Sequence, residues 1–104
     1  MRMPIEENFD PIAENGRMRL GKVDRSDGRV TIEVMVLLIP PFSTLRHLGL
    51  ERSAELVERL ESLDISMQYL EGGWAVGELT VDAALSEASV CKIRSSLRSF
   101  GYDR

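Results

Sequence analysis

Three features of the sequence predict an α+β domain built on one antiparallel sheet with two helices against one face. The stretch Arg29 to Pro40, RVTIEVMVLLIP, is the longest apolar, β-branched run, and the pair Pro40-Pro41 ends it. Two turn signals, Asp27-Gly28 and Glu71-Gly72-Gly73, each separate a pair of strand-like segments. Two segments with apolar residues at helical spacing, about 51–63 and 87–100, follow the first and second of these hairpins. The element order is then ββαββα.

The apolar run is the expected central strand. Val30, Ile32, Val34, Val36 and Leu38 share one face by the period of two, and Val and Ile suit a pleated, half-buried surface. The other face reads Thr31, Glu33, Met35, Leu37, Ile39, polar first and apolar toward the prolines. A strand apolar on both faces is either covered twice or left with a sticky side.

Length and composition bound the function. A chain of 104 residues with 43% hydrophobic content is enough for one domain that buries its own core. The net charge of -4 counts against a general nucleic-acid or acidic-membrane binder, which needs a positive field. A single cysteine, Cys91, precludes an internal disulfide framework and fits a reducing cytosol. No leader-like apolar segment opens the chain, and the run 34–41 is too short to span a bilayer. The expectation is a cytoplasmic protein.

Residues 1–16 carry Pro4, Pro11, four carboxylates and the turn pair Asn15-Gly16 with no periodic pattern, and read as an extended N-terminal arm. Its Ile5, Phe9 and Ile12 are able to lie over an apolar surface. Residues 17–104 are the single α+β domain. Its first strand, Arg17 to Val23, turns back through Asp27-Gly28. A two-residue turn sets Lys22 against Glu33, Leu20 against Met35, Met18 against Leu37 and Val23 against Ile32. A three-residue loop instead opposes Arg25 to Arg29 and Lys22 to Ile32. Matching of charge and polarity across the strands favours the first, although it turns Arg19 inward.

After the prolines, FSTLRHLGL holds Ser43, Thr44, Arg46 and the sole histidine, His47. These sit where a strand leads into a helix, a place where amides and hydroxyls hold anions, and form a candidate anion or ligand loop. The helix over about 51–63 recurs at Ala54, Val57 and Leu60, flanked by Leu56 and Leu63, with Gly49 separating it from any earlier turn. In the second hairpin, a three-residue loop with Gly73 left-handed pairs Ile65 with Leu79, Met67 with Gly77 and Tyr69 with Ala75, one clean apolar face. The last helix, 87–100, has Ser86 as N-cap, Gly101 as its C-terminal stop and Tyr102 packed on Leu97.

The first crossover leaves a slot beside the centre for the last strand, so the spatial order is first, second, fourth, third in a four-stranded antiparallel sheet. This resembles a ferredoxin-like two-layer sandwich, a resemblance of architecture that carries no functional residue. The ending RSSLRSFGYDR is similar to the close of a heavy-metal-associated domain, which implies metal held by a C-x-x-C pair. PPFSTLRHLG, where that pair belongs, has no cysteine, so no metal ligand is assigned. An RNA-recognition sheet needs stacking aromatics, and the expected open face offers Trp74 alone, without a basic residue.

Both chosen registers place Met18, Leu20, Met35, Leu37, Ile39, Leu70, Trp74 and Val76 on the face away from the helices. An apolar face of this extent marks an interface or a ligand surface, unless the N-terminal arm folds over it within the same chain. The expected function is therefore non-catalytic binding and assembly, a homodimer joined by its open sheet faces and serving as an accessory or regulatory subunit. A further protein partner is compatible with this, whereas no cofactor, nucleic acid or membrane partner is expected. The alternative is a dimeric α+β-barrel type of enzyme or ligand binder with an apolar site between sheets. Arg46 or His47 would then supply polar chemistry, and a buried Glu33 beside Glu78 would favour it.

Overall fold

The computed structural model describes residues 9–25, 27–38 and 46–103, with side chains from residue 54 onward in the last segment. Five strands, β1 (Phe9–Asn15), β2 (Met18–Asp24), β3 (Arg29–Leu37), β4 (Ser66–Tyr69) and β5 (Trp74–Asp82), form one antiparallel sheet in the order β1-β2-β3-β5-β4. Helices α1 (Arg46–Glu61) and α2 (Ser86–Ser99) complete an α+β sandwich. The apolar run is the middle strand, as its composition predicts. The expected sheet of four strands is corrected in detail, because β1 adds a fifth outside the first hairpin.

β1 comes from the stretch read as an arm. Asn15 makes the turn that joins it to β2: its side-chain oxygen accepts from the Arg17 and Met18 amides at 2.8 and 3.1 Å. The strand carries Pro11 and a bulge at Ile12, where the register shifts between Pro11 and Ala13. Both features are tolerated at a sheet edge and both erase a period-two pattern.

The register of β2 on β3 corrects the expected one by a residue. Met18 lies opposite Val36, Leu20 opposite Val34, Lys22 opposite Ile32 and Arg19 opposite Met35. The Arg25 amide donates to the Arg29 carbonyl at 2.9 Å, and Gly28 closes the loop with φ 80. The physical reason is burial. This pairing puts Met18 and Leu20 in the core at 1% and 0% exposure and turns Arg19 out to water, where an unpaired guanidinium is cheap to solvate. The opposed Arg25 and Arg29 each find an exposed carboxylate, Asp27 and Asp82, at 4.0 Å.

β4 and β5 pair as expected, Met67 opposite Gly77 and Tyr69 opposite Ala75. The three-residue loop Glu71–Gly73 holds Gly73 at φ 87, and the Leu70 amide donates to the Trp74 carbonyl at 2.7 Å. α1 begins earlier than its spacing predicts and runs through Gly49. It buries Leu56, Val57 and Leu60, while Ala54 is exposed.

α2 starts at Ser86 with Leu85 in the cap position, so Ser86 is not the N-cap; its hydroxyl donates back to the Ala83 carbonyl at 2.9 Å. Its other end is the predicted glycine stop. Gly101, at φ 78, donates to Arg98 at 3.0 Å, and the Tyr102 amide donates to Leu97 at 2.8 Å. This reversal seats Tyr102 in the core and aims its hydroxyl at the Leu37 carbonyl, 2.8 Å away. Ile93 and Leu97 from α2 meet the α1 stripe and the even-numbered residues of β3 in one cluster.

Candidate functional site

Among the described residues, those of both helices in the core cluster pack on one face of the sheet, and Met35, Leu37, Trp74 and Val76 on the second face lie outside that cluster. Strand pairing arranges this face in rows. Gly21, Glu33, Glu78 and Ser66 form one row across β2, β3, β5 and β4, and Arg19, Met35, Val76 and Gln68 form the next. Leu37 and Trp74 continue the apolar patch beyond them. Met35, Leu37, Trp74 and Val76 are half-buried, and Leu70, at the hairpin tip, is 49% exposed. A shallow groove of about 480 Å³ runs over these rows from Phe9 to Gln68.

Sequence-derived candidates divide into three groups on this structure. Met35, Leu37, Trp74 and Val76 are brought together on the open face, with Leu70 at its end. Met18 and Leu20 are not on it; the one-residue register shift moves them to the helix side, and the candidate interface is corrected accordingly. Ile39, Ser43 and Thr44 lie outside the described residues, while Arg46 and His47 are the first two residues of α1, described in their backbone alone.

Two further residues, Arg19 and Phe9, complete this face. Arg19, expected inward, is exposed, and its guanidinium lies 4.3 Å from the centre of the Phe9 ring. That ring covers Gly21, whose missing side chain leaves the space for it. The sign of Arg19 was legible in its poor fit to the expected register. Phe9 had no period to place it.

Glu33 and Glu78 face each other across β3 and β5, Glu33 half-buried and Glu78 exposed. Like charges directly opposed weaken a strand pair. Among the described residues, neither is within ion-pair distance of a cation. One row away the Thr31 and Thr80 hydroxyls hydrogen bond at 2.9 Å, so Thr31 is satisfied despite 4% exposure.

On the helix side a second groove, of about 990 Å³, runs along α2 beside β1 and β2 and includes the exposed thiol of Cys91. Its cations are partly committed. Arg94 donates to the Asp103 carboxylate at 2.8 Å, with Arg98 at 3.7 Å, and Asp103 is buried. The hydrogen bond that Arg94 donates to Asp103 raises the Arg94 pKa above the ordinary guanidinium value against the opposing effect of desolvation.

Comparison with models of protein families finds no match, and comparison with curated proteins and with solved structures finds no significant one. Among the described residues no helix is long and apolar enough to cross a membrane.

Proposed function

We propose that this chain is a small, non-catalytic binding and assembly protein that forms a homodimer through its open sheet face and serves as an accessory or regulatory subunit. The observation that carries this reading is the contiguous patch Met35, Leu37, Trp74 and Val76 on a face outside the core cluster that the described helix residues join. Apolar surface gathered in one patch gains from removal from water in a way that scattered residues do not. The β1 edge of the sheet fits the same reading, since β1 is blunted by Pro11 and its bulge, which leaves the face rather than that edge for association. In this reading the architecture is a ferredoxin-like sandwich extended by one edge strand, and the reducing cytosol suits its lone cysteine.

The groove on the same face favours a second reading, a small ligand held between two such sheets, with Met35 and Val76 as apolar floor and Glu33 and Glu78 as polar anchors. Light scattering on the eluting protein tests the first reading. A mass twice the 11.7 kDa of the chain is expected, and Leu37→Asp should reduce it to the monomer. A wild-type monomer, or a Leu37→Asp protein that stays dimeric, overturns it.

A further inference from the structure

The open face carries two negative charges and one positive charge that are not neutralised by ion pairs among the described residues. At its centre Glu33 and Glu78 are opposed in register, a repulsive pair with no cation in ion-pair range among the described residues. Toward β1, Arg19 is exposed and pairs with no carboxylate among those residues. Its position opposite Met35, two residues along from Gly21 opposite Glu33, makes Arg19 a diagonal neighbour of Glu33. The Phe9 ring nevertheless holds the guanidinium on the β1 side, 4.3 Å from its centre, because Gly21 has no side chain to displace the ring. Arg19 is thus kept away from its own carboxylates.

A face bearing both an anchored cation and an unneutralised pair of anions is complementary to a copy of itself. We propose that the occupant of this face is a second copy of the chain, and that Arg19 of each subunit neutralises Glu33 and Glu78 of the other. The proposal rests on the sheet-face dimer above and adds the charge pattern that sets its orientation. A two-fold axis makes every such contact occur twice, so both arginines and both carboxylate pairs are used. The span is suitable: stacked sheets lie about 10 Å apart, a gap that an Arg and a Glu side chain reaching toward each other bridge. Closure also removes water from the apolar row beside them, which strengthens the ion pairs. The stacked ring holds the guanidinium in place before association, and this reduces the ordering needed on binding.

Charge reversal on the full-length chain tests this, read by light scattering and native mass spectrometry, with far-UV circular dichroism to check folding. Arg19→Glu alone should weaken the dimer by at least about ten-fold, as should Glu33→Lys combined with Glu78→Lys. Mixed in equal amounts, the two variants should recover a heterodimer, since every contact in the mixed pair again joins opposite charges. Should the lysine variant not fold, Glu33→Gln with Glu78→Gln keeps the shape and should weaken the dimer while making it insensitive to salt. A wild-type monomer overturns both the dimer and this pattern. A wild-type dimer that all these variants retain, or that their mixture does not restore, overturns the charge pattern and leaves the sheet-face dimer standing.

Discussion

Adding one methyl group at Gly77 tests the packing on which both faces of the sheet depend. Gly77 lies in β5 between Val34 of β3 and Met67 of β4, with its side-chain direction toward the helices. A Cβ there would fall 2.5 Å from the Met67 sulfur, 2.7 Å from Ile65 Cγ2 and 2.7 Å from the Ser66 carbonyl oxygen. The thioether can swing, but the carbonyl belongs to the backbone of β4, so relief requires the edge strand to move. Overpacking of this kind costs about 1–3 kcal/mol, and the entropy gained by replacing a strand glycine returns about 0.5–1 kcal/mol. Gly77→Ala should therefore lose roughly 1–2 kcal/mol, a fall in Tm of roughly 4–16 °C for a domain of this size. Gly21→Ala is the contrast. The three atoms nearest its Cβ would all belong to the Phe9 ring, and that ring lies at the sheet edge, half-buried and able to turn away. The lost ring burial and cation–π contact amount to about 1 kcal/mol, close to the entropic return, so Gly21→Ala should change stability by less than about 0.5 kcal/mol. Urea unfolding followed by circular dichroism separates the two, since a stability change moves the midpoint at constant slope. Equal midpoints for the two variants would refute the argument that the kind of atom struck decides the outcome.

The remaining predictions concern the C-terminal clamp. Tyr102→Phe removes the donor to the Leu37 carbonyl and should cost about 1 kcal/mol in urea unfolding, with the solution mass equal to that of the wild type. Asp103→Asn removes the buried carboxylate between Arg94 and Arg98 and should cost about 1–2 kcal/mol, discounted because Arg94 is 32% exposed; the loss should shrink in high salt. The Arg94 pKa is raised by its hydrogen bond to Asp103, so its contribution is fully present below the ordinary guanidinium value and is lost only as pH climbs through the raised one. Stability from this pair should accordingly stay flat on titration from neutral pH to about pH 9, and a loss over that range that Asp103→Asn abolishes would contradict it.

Local chemistry made much of this architecture readable. The Glu71-Gly72-Gly73 loop, the β4–β5 register and the glycine stop at Gly101 each depend on residues a few positions apart, and each was legible for that reason. The first hairpin was not. Matching Lys22 to Glu33 looks best when two strands are considered alone, yet a surface charge match is worth little beside the burial of Met18 and Leu20. That burial exists only once helices cover one side, so the deciding term lies far away in the chain. β1 was hidden for a related reason: Pro11 and a bulge leave no alternation, and its strand character comes from pairing with β2. Its consequence, Phe9 over Gly21 with Arg19 stacked on it, was out of reach with it.

By itself, then, the sequence determined the α+β class, the central strand, the turns at Asp27-Gly28 and Glu71–Gly73, and the odd-numbered side of β3 that turns apolar toward Leu37, because these follow from side-chain period and turn stereochemistry. Tertiary structure alone decided which residues share that side. A strand has two equivalent faces until something packs on one of them, and the slip of a single residue that sends Met18 inward and Arg19 outward is settled only by that packing.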